Sequence, residues 1–370
     1  MIKLTDPCIP SEVYEDIKKI LQSGLLVHGK MVELFEKSVA ACIGARWAIA
    51  VNSGTSALHL SLLALGVQKG DEVITSDFTF PATVNVIEAV GAKPVLIDIN
   101  LATFNLNVDL IKSKITKKTK VIIPVHLFGQ SADMEPILEM AKQFRVAVVE
   151  DAACAFGAKY KGRTCGTFGD LGCFSFHPKK IITTGEGGIV LTDNFSLAQT
   201  IRLLRNHGMT YKNGRVKFIL PGLNNRLNEI QAALGIRQMK NLQKIIKKRR
   251  QIAKWYDASL AESPLVRIPS SPKYATHIYQ AYVVLLNKKI KRDSVLKALK
   301  LKGIEAGIGT YSVHQIEYYK KKYRLVADLF KQSREALTQS VSLPIHPNLT
   351  KAEVSFVAKS LLSVLKKTHL

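Results

Sequence analysis

A chain of 370 residues, 47% hydrophobic and 7% aromatic, is long enough for two domains with sizeable cores, and none of its apolar runs reaches the length of a membrane span. Its 53 Lys+Arg against 29 Asp+Glu give a formal net charge of +24, which gathers phosphates electrostatically. The basic residues are spread over local densities at 117–120, 240–250 and 289–302 with no nucleic-acid-binding motif beside them, so the expected partner is a small anionic substrate and nucleic acid is set aside.

The five cysteines (Cys8, Cys42, Cys154, Cys165, Cys173) have neither CxxC spacing nor a Cys/His cluster, which argues against a zinc site and for buried free thiols. The opening Met-Ile-Lys-Leu-Thr-Asp-Pro lacks a signal-peptide core, and the expectation is a cytoplasmic protein.

In chain order, Val13, Ile17, Ile20 and Leu21 recur at helical spacing over 10–22, and a second helix is expected over 31–41. Residues 47–51 read as a buried strand that ends in Asn52-Ser-Gly-Thr-Ser56, with a helix behind it over 57–65. A strand, a small-residue turn and a helix N-terminus form an anion site, because free N–H groups and the helix dipole point at the ligand and the Thr55 and Ser56 hydroxyls add bonds. An ordinary helix cap accounts for the same residues.

Strands then alternate with helices: strand 72–76, helix 81–90, strand 94–98, helix 108–114, strand 121–125 ending at His126, helix 133–144, and strand 146–150 ending at Asp151. The alternation predicts an α/β fold with a mainly parallel sheet, whose ligands sit at the carboxyl ends of strands. Phe80, His126, Asp151 and the stretch from Ser175 to Lys180 all fall at such ends.

That stretch, Phe174-Ser-Phe-His-Pro-Lys-Lys180, is a strand stopped by Pro178 and followed by two lysines and Gly185-Glu-Gly-Gly188. A lysine just past a strand in apolar surroundings loses part of its ammonium's solvation and becomes an amine nucleophile or Schiff-base former, whereas a solvated surface lysine is the ordinary alternative. Farther on, a strand is expected over 188–192, a helix over 197–206, a mobile polar loop over 207–217 and a long helix over 225–260. Pro264, Pro269 and Pro272 mark a boundary, dividing a large domain (1–262) from a compact α+β domain (263–370) with strands at 280–286 and 303–307 and helices at 293–301 and 351–365.

A reactive lysine, a phosphate pocket, an aromatic ring and an acid after an apolar strand are the parts that pyridoxal 5′-phosphate needs. The whole chain resembles the DegT/DnrJ/EryC1/StrS sugar aminotransferases, within the fold-type I pyridoxal phosphate enzymes. The resemblance runs through Asn52-Ser-Gly-Thr-Ser-Ala-Leu58, Phe78-Thr-Phe-Pro-Ala-Thr83, Pro124-Val-His-Leu-Phe-Gly129, Glu150-Asp-Ala-Ala153, Phe174 to Lys180, Thr184-Gly-Glu-Gly-Gly188, Arg205-Asn-His-Gly-Met209, Gly222-Leu-Asn-Asn-Arg226 and Leu343-Pro-Ile-His-Pro347.

The resemblance implies that Lys180 forms the Schiff base, Asp151 pairs with the pyridine nitrogen, Phe80 stacks on the ring, and Thr55, Ser56 and Ser175 hold the phosphate. Asn224 then reaches the cofactor of a neighbouring subunit, in a homodimer with shared sites. Tyr311 and His314 line the substrate cleft, in a segment that lacks the family's proline. Lys179 stands where the family has Ser or Thr, Phe156 where it often has His, and Cys154 where it commonly has Gln near the cofactor's phenolic oxygen, a weaker hydrogen-bond partner.

The implied reaction moves an amino group from L-glutamate to a nucleotide-linked keto sugar. The alternatives are sugar dehydration, cyclitol or aromatic amino-acid synthesis on the same scaffold, or a non-catalytic regulatory or nucleic-acid-binding relative. The dehydratase pattern carries histidine at the lysine position, so Lys180 argues against that branch.

Overall fold

The computed structural model describes residues 1–27 and 29–369. Seven strands form its central sheet: β1 (Trp47–Val51), β2 (Glu72–Ser76), β3 (Lys93–Ile97), β4 (Thr119–Ile123), β5 (Ala147–Asp151), β6 (Leu171–Ser175) and β7 (Gly188–Thr192). Their order is β1-β7-β6-β5-β4-β2-β3. Every neighbouring pair is parallel except the two that β7 makes, so the sheet is mainly parallel as expected.

These strands read as almost continuous runs of Val, Ile and Ala because both faces are covered. The helices that cover them are α2 (Lys30–Ile43), α3 (Gly54–Ala64), α4 (Ala82–Ala89), α5 (Met134–Phe144), α6 (Phe195–Arg205) and α7 (Glu229–Leu260), and α1 (Glu12–Ser23) packs on the outside against α7. Along β1, Ala48 and Ala50 face α2 and α7, while Ile49 and Val51 face α3 and α6. At the other end of the sheet, Ile74, Ile97, Ile122 and Val148 pack on α5.

Asn228 caps α7 in a reciprocal capping box with Gln231. The next residue, Glu229, is buried, and its carboxylate accepts the Gly29, Met31 and Val32 amides at 2.8–3.0 Å. A negative group there satisfies three amide donors at the start of α2 and favours its dipole.

The remaining helices are α8 (Arg292–Leu301), α9 (Glu317–Tyr323), α10 (Lys331–Gln339) and α11 (Lys351–His369). A second core joins Ile252, Tyr256 and Leu260 of α7 to Tyr282, Val284, Val341, Leu343 and the buried face of α11. The long helix therefore enters both cores, and its C-terminal half packs with the residues that follow position 263.

Four expectations change. Residues 207–217 are not a loop: Met209–Lys212 and Arg215–Phe218 form an antiparallel hairpin, with Asn213 and Gly214 both at positive φ in its turn. The helix expected at 108–114 is two 3₁₀ turns, Val108–Leu110 and Lys112–Lys114. The strand expected at 303–307 is reduced to single bridges, Ile304 with Ile2 and Gly307 with Ser342. Of the five thiols, Cys165 and Cys173 are buried, Cys154 is partly so, and Cys8 and Cys42 are exposed; all are free.

Candidate active site

The site gathers where β1, β5 and β6 end. Ser53 ends the turn after β1 and caps α3, its hydroxyl accepting the Ser56 amide at 3.0 Å. The cap brings the first turn of α3 against β6 and β7. A side chain on Gly54 would meet Ser175 Cβ at 2.7 Å, and one on Gly188 would meet the Ser53 carbonyl oxygen at 2.3 Å, so both glycines are required by close approach. Thr55 is exposed at the helix start, and Ser175 faces the same turn. The Ser56 hydroxyl donates to Asn52 Oδ1 at 2.6 Å and lies 3.0 Å from Ser53 Oγ. A helix start, the positive end of its dipole and nearby hydroxyls are the elements an anion cradle uses, although here the Ser56 amide and hydroxyl are already engaged with Ser53 and Asn52.

Asp151, the last residue of β5, is 5% exposed. One carboxylate oxygen accepts the Thr83 hydroxyl at 2.7 Å, with Thr79 behind it at 3.1 Å, and the other accepts the Ala153 amide at 3.2 Å. The chain then turns through Ala152 and Ala153 to Cys154, whose thiol accepts the Lys180 ammonium at 3.2 Å. Lys180 is partly buried and Lys179 is exposed, so these neighbours point into different surroundings. The Lys179 carbonyl accepts the Gln280 side chain at 2.8 Å, which pins the turn from below. Burial and the nearby Lys180 and Lys179 hold the half-exposed His177 below its ordinary value, against an opposing pull from Glu186.

Phe80 is exposed beside the site, its ring edge-on to Tyr311 at 6.3 Å between centroids. A short antiparallel pairing, Phe78–Thr79 with Tyr311–Ser312, brings them together. His314 is placed differently from the expectation. Its ring is 1% exposed and stacks on Phe330, with Nδ1 donating to Asp77 at 2.6 Å and its amide donating to the other oxygen at 2.8 Å. It does not line the cleft; it fixes the segment that presents Tyr311.

His126 is likewise wholly buried. Its Nδ1 accepts the Ala132 amide, so Nε2 carries the proton and donates to Glu150 at 2.8 Å. Glu150 accepts three further amides, from Gly166, Phe168 and Gly169. Asn224 is exposed in a segment bridged to Asn206, and the next residue's carbonyl accepts the Asn52 amide at 3.0 Å. Phe156 belongs to an aromatic cluster with Phe174 and Phe176 and plays no part in the cleft.

The sequence reading missed Thr83, Gln280 and Asp77. Thr83 stood inside a quoted motif, four residues after Thr79 at the start of a helix, a spacing that puts both hydroxyls on one side. Gln280 and Asp77 act through long-range contacts that leave no local pattern. Among the described residues no His/Cys/Asp/Glu group could hold a metal ion, and no helix is long and apolar enough to cross a membrane.

A doubly covered, mainly parallel sheet with a buried strand-end carboxylate, a half-buried lysine and an anion cradle fits pyridoxal phosphate: the donor set is the one this cofactor's ring, aldehyde and phosphate require. The fold and the site define a fold-type I, pyridoxal phosphate-dependent aminotransferase. The chain belongs to the DegT/DnrJ/EryC1/StrS aminotransferase family, whose model matches residues 7–362. It is 40% identical over 340 residues to the GDP-perosamine synthase of Caulobacter vibrioides, covering 91% of each chain. It is 37% identical over 377 residues to the spore coat polysaccharide biosynthesis protein SpsC of Bacillus subtilis, covering 97% of this chain and 96% of that one. Spr1654 of Streptococcus pneumoniae in its PLP form superposes with a TM-score of 0.93 at 26% identity, covering 99% of both chains.

Proposed function

We propose that this aminotransferase converts the ketone of a nucleotide-linked sugar to an amine, with L-glutamate as donor, in a homodimer whose sites are shared. The observation that carries the reading is the short path from Asp151 through Cys154 to Lys180, which sets a carboxylate and an amine at one end of the sheet. The 40% identity to a GDP-perosamine synthase supports the choice of a nucleotide-linked sugar.

Pyridoxal phosphate, when bound, supplies an electron sink for the electron pair released at the donor's α-carbon. In this reading Lys180 holds the cofactor, then takes the proton from that α-carbon and later delivers one to the sugar carbon being aminated. Asp151, oriented by Thr83 and the Ala153 amide, keeps the pyridine nitrogen protonated. Thr55, Ser56 and Ser175 hold the phosphate, Phe80 covers the ring face, and Tyr311 borders the sugar. The basic surface assists capture of an anionic nucleotide. Tyr211, Val216, Phe218 and Ile219 on and beside the hairpin are exposed apolar side chains, which suits burial against a second copy, and Asn224 then reaches that copy's site.

The test is the visible spectrum of the purified protein with pyridoxal phosphate, before and after L-glutamate. Bleaching of the yellow form with release of 2-oxoglutarate supports the donor assignment. Transfer of the retained amine to nucleotide-linked keto sugars, and not to the free sugars, supports the acceptor. A spectrum unmoved by glutamate overturns the donor, and equal use of free sugars overturns the nucleotide.

A further inference from the structure

Behind the Lys180 turn, between α7 and the N-terminal residues 2–8, lies a small cavity lined among others by Asp6, Cys8, Pro178, Lys180, Thr183 and Arg249. Its free space holds about one water-sized particle. Arg249 is only 3% exposed. Its Nη1 donates to the Tyr279 and Gln280 carbonyls, both at 3.1 Å, but its Nε has no protein acceptor among the described residues. Near it His346, 6% exposed and next in the chain to the lining residue Pro347, makes no hydrogen bond of ordinary geometry on either ring nitrogen among the described residues, although the Lys3 backbone and the charges of Asp6 and Glu353 lie close to its ring.

Among the described residues no carboxylate is bonded to Arg249. The acid at the rim, Asp6, is engaged elsewhere, with Lys3 at 3.1 Å and Asn348 at 2.7 Å. Burial lowers the guanidinium only to about 10, which leaves it charged at neutral pH. A buried cation without a counter-charge is costly, and two carbonyl dipoles supply only part of what water gave it. A water molecule would satisfy hydrogen bonds but would not neutralise charge.

We propose that this cavity is a site for one small monoanion of chloride size, held by the unpartnered Nε–H of the buried Arg249 guanidinium. Its size excludes sulfate, phosphate and the carboxylate arm of an amino acid. The site also has a route to the nucleophile: Arg249 holds the Gln280 carbonyl, and the Gln280 side chain holds the Lys179 carbonyl. A bound anion therefore stiffens the turn that carries Lys180. The proposal does not rest on the sugar or donor assignment.

The test uses the full chain loaded with pyridoxal phosphate. Crystals soaked in sodium bromide are expected to give an anomalous peak in this cavity, beside Arg249. At constant ionic strength, replacing gluconate by chloride is expected to raise the melting midpoint saturably, by about 2 °C, and Arg249→Met to abolish that dependence. No bromide peak, with equal melting in the two salts, overturns the proposal in favour of an ordinary buried water. If Arg249→Met does not fold, the wild-type bromide map and salt titration decide alone.

Discussion

Two adjacent lysines that sequence alone cannot rank by chemistry are separated in the structure by their surroundings. Lys180 lies against Cys154 near the buried Asp151, while Lys179 projects outward and contributes its backbone carbonyl to Gln280. An amine that moves protons must sit at the reacting carbon, and a positioned acid–base group supplies typically ~10²–10⁴-fold in rate. Lys180→Ala is therefore expected to lower transamination by at least about 10²-fold and to remove the visible band, with the fold intact by circular dichroism. Lys179→Ala should keep the band and stay within a few-fold of wild type. A reversal of these outcomes would move the assignment to Lys179. The same residue-scale contrast explains why Cys154 was legible as a departure yet unreadable in effect: only the geometry shows that its thiol meets the lysine itself.

At the scale of elements, the segment after Gly309 shows how one structural pair holds in place Tyr311, the neighbour that the proposed function sets beside the sugar. Asp77, at the end of β2, accepts both the amide and the ring N–H of His314, and burial raises its carboxyl above the usual range against the lowering effect of those bonds. His314→Ala would leave a buried carboxylate short of a partner, at a cost of about 3–5 kcal/mol. Urea unfolding should register that loss, whereas Tyr311→Ala should change KM for the acceptor with little change in stability. Equal effects in both variants would dismiss the division of labour. The hairpin is a second case. Tyr211→Ser combined with Phe218→Ser should shift sedimentation toward the monomer, and an unchanged mass would count against this face as the subunit contact. Its turn was in fact legible, because Asn213-Gly214 is a strong two-residue hairpin signal, but the surrounding Lys and Arg residues read as a polar loop. The sheet strands were legible for the opposite reason: short Val/Ile runs between turn residues announce a doubly buried strand wherever they occur. Pairings such as 78–79 with 311–312 join residues more than two hundred positions apart, and nothing local encodes them.

Across the whole molecule, buried histidines set the response to acid. His277 stacks on Tyr279 with ring centroids 4.0 Å apart, and its Nδ1 accepts the Tyr279 amide. Burial, aided by the charge of Arg250, pushes it from 6.5 down to about 3. His59, His177 and His346 are lowered as well, with burial the largest cause in each. Because the unfolded chain binds protons near 6.5 and the folded His277 does not until about 3, the unfolded state takes up more protons across that window. Stability is then present in full above 6.5 and is lost as the pH falls below it. For His277 alone the slope approaches about 1.4 kcal/mol per pH unit well below 6.5, and because the unfolded side chain is only half protonated at 6.5 the loss between pH 6.5 and 5.5 is roughly 1 kcal/mol. Asp6, Asp16, Glu72 and Glu353 are lowered too, but they act in and below the ordinary carboxylate range, while Asp77 and Asp257, raised by burial, take up protons more readily folded than unfolded and oppose the loss. The expected result is a fall in unfolding free energy from pH 7 to pH 5.5 that shrinks by about 1 kcal/mol in His277→Gln, whose side-chain carbonyl can still accept the Tyr279 amide. A variant whose free energy falls as steeply as the wild type's would show that His277 is already charged in the native protein and that the acid response lies elsewhere.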